Sequence, residues 1–356
     1  MLSKVYFIGV GKDETAEEIS KKAAKVFSVL DFKEKIEKDS FVACKIHFGE
    51  KGNKGFINPR WLEGIINLIR EKTSRAFFVD TNTLYVGRRT NSIDHLNLAH
   101  EHGFSIEALG IPILIADGIV GRDDYEIEIN CSRIKRAKIA SAFFHTDFLL
   151  CLSHFTGHMI TGFGAAIKNL GMGCASRAGK LEQHAEVHPW VNPKLCNNCG
   201  ICIDYCPSQA IQQREGKASI IDEKCLGCGE CLVVCPAQAV KFRWDSDFSR
   251  VQEKMAEYAF SVSKLFKERM GFINFLMKIT RDCDCLAKEQ KSLIEDIGIL
   301  GSSDPVAVDK ASVDLVNRNR KDDFVKGFHN IDWSVQIRHA QEIGLGRMDY
   351  ELVTLQ

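Results

Sequence analysis

The stretch that decides the architecture reads CNNCGICIDYCP and covers residues 196–207. Two residues separate each of its first three cysteines, three residues precede the fourth, and a proline follows. The same spacing returns in CLGCGECLVVCP at residues 225–236. The repeat extends past the cysteines, because CPSQAI at 206–211 matches CPAQAV at 235–240. Two copies of one short unit predict a small module with approximate twofold symmetry.

This spacing is typical of bacterial proteins that bind two 4Fe-4S clusters, in which the fourth cysteine of each motif ligates the other cluster. Three thiolates so close in sequence surround one cluster only if the backbone curls tightly, which the glycines of the motifs permit. The predicted ligands are Cys196, Cys199, Cys202 and Cys235 for one cluster, and Cys225, Cys228, Cys231 and Cys206 for the other. The alternative is a pair of structural zinc sites, although zinc proteins usually separate their ligands into two distant pairs. From residue 193 to 242 the chain closely resembles two-cluster ferredoxins.

On both sides of this module, strand-like apolar runs alternate with amphipathic helices. Strands are predicted at 5–10, 41–48, 76–80, 111–117, 125–131, 148–154, 272–277 and 297–300, with helices between them, including one at 134–144. Such a succession predicts a doubly wound, largely parallel sheet with helices on both faces. We therefore expect an α/β domain that is discontinuous in sequence, formed by residues 1–187 and 246–356. An α+β ferredoxin-like two-cluster domain, residues 188–245, is inserted into it.

Composition restricts the environment of the protein. The 356 residues include 47 basic and 47 acidic side chains in a mixed order, so no basic face for nucleic acid is expected. Eight of the 14 cysteines lie in the two motifs, a usage typical of metal binding in a reducing cytosol. The N-terminus has no signal-peptide pattern, and no apolar run is long enough to cross a membrane. We expect a cytoplasmic protein with no nucleic-acid or membrane partner.

Polar side chains follow several predicted strands at their carboxyl ends, where doubly wound folds bind ligands. The predicted catalytic residues are Lys45, His47, Asp80, Arg88, His154, His158 and Lys168. Lys45, Arg88 and Lys168 are expected to hold a small anionic substrate, and His154 or His158 to transfer protons or ligate a metal. Lys168 lies in TGFGAAIKNLGMG, residues 161–173. Its glycines either present backbone N–H groups to an anion or allow a helix to pack closely on the sheet.

A further candidate site is the segment DCDC at residues 282–285. In an extended backbone alternate side chains point the same way, so Cys283 and Cys285 can share an additional metal ion. Cys174, His154 or His158 would complete its coordination. The alternatives are a redox-active dithiol and a pair of buried thiols without function.

The chain as a whole resembles a large family of uncharacterised iron-sulfur proteins, in which a domain of unknown function is interrupted by a ferredoxin module. The resemblance extends over nearly the whole length. It rests on DTNTLY at 80–85, SH at 153–154, GH at 157–158, KNLGMG at 168–173, CDC at 283–285 and SDPVAVD at 303–309. It implies the two clusters and a cytosolic redox role, without naming a substrate.

Three functions fit these observations. The first is an oxidoreductase that receives electrons from a soluble donor protein and passes them through two 4Fe-4S clusters to a site at the strand ends. The second is a non-catalytic ferredoxin-type carrier or adaptor that docks a redox partner protein. The third is a factor that assembles or delivers metal or clusters, with Cys283 and Cys285 as the transfer site. The sequence has no Rossmann fingerprint that would indicate nicotinamide or flavin.

Overall fold

The structure is a computed structural model that describes residues 2–84, 87–184, 189–206, 208–225, 231, 234–241, 248–320 and 323–356. The strands are β1 (Ser3–Gly9), β2 (Val42–Lys45), β3 (Ala76–Asp80), β4 (Ile113–Ile115), β5 (Asp124–Glu128), β6 (Arg136–Ala140), β7 (Phe148–His154), β8 (Thr156–His158), β9 (Gly162–Gly164), β10 (Trp190–Val191), β11 (Ile211–Arg214), β12 (Lys217–Ile220), β13 (Val240–Lys241), β14 (Met270–Leu276), β15 (Gly298–Ser302) and β16 (Tyr350–Thr354).

The α-helices are α1 (Ala16–Ser28), α2 (Glu63–Arg70), α3 (Ser92–Glu101), α4 (Ile106–Leu109), α5 (Ala166–Gly171), α6 (Arg177–His184), α7 (Ile201–Asp204), α8 (Phe248–Phe266), α9 (Pro305–Arg320), α10 (Phe324–His329) and α11 (Ser334–Glu342). Short 3-10 helices lie at Phe32–Lys35, Pro59–Leu62, Ser141–His145 and Asp222–Lys224. Helix α1 begins at a capping box, in which the Thr15 side chain accepts the Glu18 N–H and the Glu18 carboxylate accepts the Thr15 N–H. No helix in the described ranges is long and apolar enough to cross a membrane.

A single eight-stranded sheet forms the centre of the α/β domain, with the strand order β16-β1-β15-β14-β7-β2-β3-β4. Strand β15 is antiparallel to both of its neighbours, and the other pairs are parallel. This confirms the predicted α/β class with a large, mostly parallel sheet. Strands from residues 3–154 and 270–354 interleave in the sheet, so the residues after the cysteine motifs complete the sheet begun before them.

Helices cover both faces of this sheet, and the central strand β7 shows why. Its residues Leu149 and Cys151 are buried in the core that includes α5, α8 and α9, whereas Leu150 and Leu152 are buried in the core that includes α1 and α2. Successive side chains of a strand point to opposite faces, so a strand with a core on each side is apolar at every position. The continuous apolar run at 148–152 is therefore the signature of its central place.

The helix predicted at 134–144 is wrong. Residues Arg136–Ala140 form strand β6, which pairs antiparallel with β5, and a 3-10 helix follows at Ser141–His145. Ala137 and Ile139 are buried while Arg136 is exposed, a two-residue period that fits a strand. Pairing with β5, outside the main sheet, decides the conformation of this short segment.

The described residues of the cysteine motifs lie outside the main sheet. Here β10 pairs with β13 and β11 with β12, both antiparallel, and α7 follows Gly200. A separate small core of cysteines and aliphatic side chains lies between these elements. The predicted domain boundaries, at 187/188 and 245/246, fall outside the described residues. A contact with the α/β domain is made by Tyr205, whose ring centroid lies 5.8 Å from the guanidinium carbon of Arg122.

Candidate functional site

A cavity of about 120 Å³ opens at the carboxyl ends of the adjacent strands β7, β2 and β3. Six of the seven predicted catalytic residues line it, namely Lys45, His47, Asp80, His154, His158 and Lys168. Cys283 and Cys285 line the same cavity. The parallel order of the strands explains this convergence, because residues that follow neighbouring parallel strands meet at one edge of the sheet.

Arg88 is the predicted residue that the structure places elsewhere. Its guanidinium Nη1 donates to the Glu101 carboxylate at 2.6 and 2.8 Å, near the surface. Arg89 lines the cavity instead, donating from Nε to Glu50 at 3.1 Å and from Nη1 to Nε2 of His47 at 2.8 Å. Adjacent residues of a loop point in different directions, and the sequence did not indicate which of the two arginines faces inward.

The ammonium of Lys45 is already engaged by the protein. It forms a 2.9 Å ion pair with Asp80, with the two side chains only 1% and 5% exposed, and donates to the Asn169 side chain at 2.8 Å. Burial would raise the pKa of Asp80, but Lys45 and the neighbouring cations hold it well below its ordinary value. A Cβ at Gly173 would lie 2.2 Å from the backbone oxygen of Asn169 and 2.5 Å from Lys45 Nζ, so glycine is required there. Lys45 therefore supports the cavity wall through Asp80 and Asn169, and its contact with a substrate stays a prediction.

Lys168 differs from the other cations of the cavity. Within the described part of the chain, its ammonium makes no hydrogen bond or ion pair. Burial, reinforced by the nearby charge of Arg89, lowers the pKa of Lys168 to about 8, so the side chain is still mostly protonated at neutral pH. Lys45, Arg89 and Lys180 each contact an acceptor of the protein. Lys168 thus adds a positive charge that the cavity wall does not neutralise.

Helix α5 carries Lys168 and its N-cap residue Ala165 lines the cavity, but the first N–H groups of the helix are already engaged by the protein. The N–H groups of Ala166 and Ile167 donate to the two oxygens of the Asp309 carboxylate, each at 2.8 Å, and Asn274 donates to the same group at 2.8 Å. Burial raises the pKa of Asp309 to about 7. The anion at this helix end is therefore the protein's own carboxylate. Close packing is supported at Gly171, where a Cβ would lie 2.3 Å from the carbonyl oxygen of Met255 on α8. The N–H groups of Ala166 and Ile167 are not available to a substrate anion.

The ring of His154 faces two acceptors. Its Nδ1 lies 2.8 Å from the Asp284 carboxylate and its Nε2 lies 2.7 Å from the carbonyl oxygen of Met277. Burial lowers the pKa of His154, but Asp284 and these hydrogen bonds outweigh it and raise the pKa above its ordinary value. Both nitrogens donate protons as an imidazolium, so His154 has no lone pair for the metal ion that the sequence suggested.

His158 has the opposite environment. Its Nδ1 accepts the N–H groups of Ile160 and Thr161 at 3.3 and 3.2 Å. Burial, with the nearby charge of Lys168, lowers the pKa of His158 well below its ordinary value, so the ring is neutral. Because Nδ1 accepts, the single proton of the neutral ring is on Nε2. His158 is therefore a hydrogen-bond donor at its free nitrogen.

Cys283 and Cys285 are joined by a disulfide, with 5.3 Å between their Cα atoms. One ring nitrogen of His158 and the two sulfurs lie within 4.8 Å of one another. Of the three residues suggested to complete a metal site, Cys174 is absent from the residues that line the cavity and His154 is occupied. His158 alone of the three lies beside the pair.

Several cavity residues were not predicted, notably Arg89, Lys180 and His184. Lys180 Nζ donates to the Thr81 hydroxyl and, at 2.6 Å, to the carbonyl oxygen of Asn82, and burial lowers its pKa to about 8. Lys180 and His184 are four residues apart on α6, so they lie on one face of that helix. That spacing, directly before the cysteine motifs, is the signal that could have indicated them.

A second, smaller cavity lies between the two cysteine motifs. The residues that line it include Cys196, Cys199 and Cys202 of the first motif together with Cys235 of the second, the four ligands predicted for one cluster. The remaining lining is largely apolar, with Val191, Ala218, Ala239 and Val240. Cys228, a predicted ligand of the other cluster, lies outside the described residues.

Backbone N–H groups are directed at these sulfurs. The N–H groups of Ala210 and Ala239 lie 3.2 Å from the sulfurs of Cys206 and Cys235, the same contact in each repeat. Hydrogen bonds from the backbone of Ala218 and Asn198 lower the pKa of Cys196. Three closely spaced cysteines and one from the other repeat around a largely apolar cavity are the ligand set that the predicted 4Fe-4S cluster would use.

Comparison with known proteins assigns the family. Residues 42–314 match the model of the Domain of unknown function (DUF362), and the chain belongs to that family. This agrees with the resemblance to a domain of unknown function, while the ferredoxin module remains a prediction. No curated protein matches the chain.

Two solved structures are similar to the chain. The lactate racemase apoprotein from Thermoanaerobacterium thermosaccharolyticum shares 11% identity at a TM-score of 0.46, covering 89% of this chain and 57% of that one. A protein from Thermotoga maritima shares 9% identity at a TM-score of 0.45, covering 88% of this chain and 60% of that one. This chain therefore spans less than two thirds of the length of either protein.

Proposed function

We propose that the protein is an iron-sulfur oxidoreductase, in which two 4Fe-4S clusters carry electrons to a substrate at the strand-end cavity. The first cluster is held by Cys196, Cys199, Cys202 and Cys235, and the second by Cys225, Cys228, Cys231 and Cys206. When bound, such clusters supply single electrons. The observation that carries the proposal is the cavity lined by three cysteines of one motif and the fourth cysteine of the other.

The crosswise ligand set favours clusters over zinc. A zinc site built from one motif would use cysteines of that motif, whereas Cys235 joins the cavity of Cys196, Cys199 and Cys202 from 33 or more residues away. Exchange of the fourth ligand between motifs is the property of the two-cluster ferredoxin pattern. The repeated N–H donors to Cys206 and Cys235 give both exchanged cysteines the same environment.

The strand-end cavity supports a small anion as the substrate. Lys168 carries a positive charge without a partner in the described residues, and the cavity of about 120 Å³ accommodates a small molecule.

The contact between Tyr205 and Arg122 joins the cysteine module to the α/β domain, because Tyr205 directly precedes Cys206, a predicted cluster ligand. Asp123, next to Arg122, donates its N–H to the carbonyl of Asp117. The Asp117 carboxylate in turn accepts from Asn82, beside Lys180 of the cavity.

In this proposal, a soluble donor protein in the cytoplasm supplies the electrons. Trp190, Leu195 and Tyr205 are exposed aromatic or aliphatic side chains close to the cysteine motifs. Such side chains are typical of contacts with another protein. A carrier that only docks a partner is the alternative, and it predicts that substitutions in the strand-end cavity have no effect on electron flow.

Anaerobic purification followed by iron and sulfide analysis tests the clusters. We expect about eight irons per chain and a 4Fe-4S signal in the EPR spectrum of the reduced protein. Cys235→Ser should lower the iron content by up to half and change the spectrum, whereas Cys131→Ser, a cysteine outside both motifs, is the matched control. Zinc in place of iron, or a Cys235→Ser protein with full iron, contradicts the proposal.

Lys168→Met tests the destination of the electrons. We expect unchanged iron content and EPR spectra, together with loss of any oxidation of the reduced clusters by small anionic acceptors. If the variant and wild type transfer electrons alike to every acceptor, the carrier function replaces the oxidoreductase.

A further inference from the structure

The disulfide between Cys283 and Cys285 lines the strand-end cavity, and contacts of the neighbouring aspartates fix its segment in place. Asp284, between the two cysteines, binds His154 through its side chain, and its carbonyl oxygen accepts the N–H of Glu50 at 3.0 Å. Asp282 forms ion pairs with Lys288 at 2.9 Å and His329 at 3.0 Å. The aspartates therefore anchor the segment, and the sulfurs between them are left facing the cavity.

We propose that Cys283 and Cys285 form a redox-active pair that alternates between this disulfide and a dithiol, and that the pair reduces a small anionic disulfide held by Lys168. This inference rests on the proposed function for its source of electrons, a low-potential one-electron donor. Exchange with another disulfide is the ordinary reaction of a protein dithiol. The unpartnered charge of Lys168 and the small size of the cavity specify a small anion.

The atoms and electrons balance over two steps. First, the Cys283–Cys285 bond takes up two electrons, delivered singly, and two protons, and becomes two thiols. Then one thiolate attacks a sulfur of the substrate, and the substrate disulfide breaks to release one thiol. The other cysteine attacks the mixed disulfide, which restores the Cys283–Cys285 bond and releases the second thiol. The substrate has gained two electrons and two protons.

His158 and Lys168 are placed to assist these steps. A ring nitrogen of His158 lies within 4.8 Å of both sulfurs, and its Nε2 carries the proton because Nδ1 accepts two backbone N–H groups. The Nε2–H can donate a hydrogen bond to a departing thiolate and stabilise its charge, and the thiolate then takes its proton from solvent. The ammonium of Lys168 stabilises a thiolate as well as the substrate anion.

The same contacts argue against a metal ion at this pair. A histidine ligates a metal through an unprotonated nitrogen, and the only unprotonated nitrogen of His158 is turned to the amides of Ile160 and Thr161. Both nitrogens of His154 donate to the protein. Neither His158 nor His154 therefore offers a third metal ligand to the thiolates of Cys283 and Cys285.

Differential alkylation tests the redox pair directly. Trypsin cleaves after Arg281 and Lys288, which releases the peptide DCDCLAK with Cys283 and Cys285 as its only cysteines. We expect no iodoacetamide label on this peptide in oxidised protein denatured under anaerobic conditions. Two labels are expected after treatment with dithiothreitol, and also after treatment of the cluster-loaded protein with reduced methyl viologen.

The two reductants separate this inference from the proposed function. Labels with dithiothreitol but not with viologen support the redox pair and contradict electron delivery by the clusters. A peptide that stays unlabelled with both reductants overturns the redox pair. So does a peptide that labels only after a chelator removes a stoichiometric metal ion.

Two disulfides of similar size test the substrate class. Dithiodiglycolate carries two carboxylates, whereas bis(2-hydroxyethyl) disulfide is neutral. We expect the dithiothreitol-reduced and desalted protein to react about tenfold faster with the anionic compound, the effect of one hydrogen bond to a charged group. Lys168→Arg should keep this preference and Lys168→Met should lose it. In Cys285→Ser, a mixed disulfide on Cys283 should accumulate and be visible by intact mass. Equal rates with both compounds, or reaction of a Cys283→Ser/Cys285→Ser protein at the wild-type rate, overturn the assignment.

Discussion

Replacement of Lys168 by methionine should stabilise the folded protein while it abolishes anion binding. The wild-type ammonium is half-buried, lines the cavity and has no partner in the described part of the chain. A buried charge without compensation costs free energy, and methionine fills a similar volume without charge. A buried charge of this kind in a cavity is a candidate for binding an anionic ligand.

The size of the stabilisation expected from Lys168→Met follows from the pKa of Lys168. Burial lowers the pKa of Lys168 from 10.5 to about 8. A pKa difference of one unit between folded and unfolded chains corresponds to about 1.4 kcal/mol, so the charge at pH 7 costs at most about 3 kcal/mol. Solvent that reaches the half-buried side chain reduces this to about 1 to 3 kcal/mol. In a protein of this size, the melting temperature should rise by about 2 to 5 °C.

The pH dependence has a defined sign. A lysine whose pKa is lowered by folding destabilises the protein fully below pH 8, where both states are charged. Between about pH 8 and 10.5 the folded lysine is neutral and the unfolded one is charged, so wild-type stability rises relative to the variant. The gain from Lys168→Met should therefore shrink across this interval.

Thermal unfolding from pH 7 to 10, under anaerobic conditions and with equal iron content, measures the effect. Lys180→Met is the matched control, because burial lowers the pKa of Lys180 to about 8 as well, but its ammonium donates to Thr81 and Asn82. That variant should be destabilised, since it leaves buried acceptors unpaired. If Lys168→Met is destabilised like Lys180→Met, or if its gain does not change with pH, the reasoning is refuted.

Three further predictions concern neighbouring contacts. Arg89→Ala should destabilise the fold by about 3 to 5 kcal/mol in urea unfolding, because it removes the ion-pair partner of buried Glu50, while Arg88→Ala near the surface should have little effect. Asp284→Asn should remove a contribution that is full below pH 6.5 and is lost as the pH rises through the raised pKa of His154. The melting temperatures of variant and wild type should therefore converge as the pH rises above 6.5. Asp309→Ala should cost about 2 to 4 kcal/mol in urea unfolding, because it leaves two buried N–H groups of α5 without an acceptor, and an unchanged midpoint would contradict the helix-end contact.

The grouping of the predicted cysteine ligands around one cavity follows from information that is mostly local in the sequence. Three of the four ligands of the first set lie within seven residues, and the spacing alone determines how the backbone must curl. The fourth, Cys235, followed from the repeat. The cluster-binding role of the whole set remains a prediction, and Cys228 lies outside the described residues.

The location of the strand-end cavity was also predictable, because parallel strands bring their carboxyl ends to one edge. Lys45, His47, Asp80 and His154 line it for that reason, whereas His158 ends strand β8 and Lys168 lies on α5. Their individual states were not predictable. Arg88 and Arg89 have the same chemistry and adjacent positions, and only the path of the loop determines that Arg89 faces inward.

What the sequence by itself determined is the alternation of strands and helices, the repeated cysteine module and the polar edge of the sheet. Only the tertiary structure decided the charge and hydrogen-bonding state of the site. His154 meets Asp284 across 130 positions of sequence, and α5 meets Asp309 across 143. Such contacts depend on the order of strands in the sheet, which brings residues from before and after the module together. The shift in the pKa of a buried group is caused by these neighbours, so the shift arises only once the fold has formed.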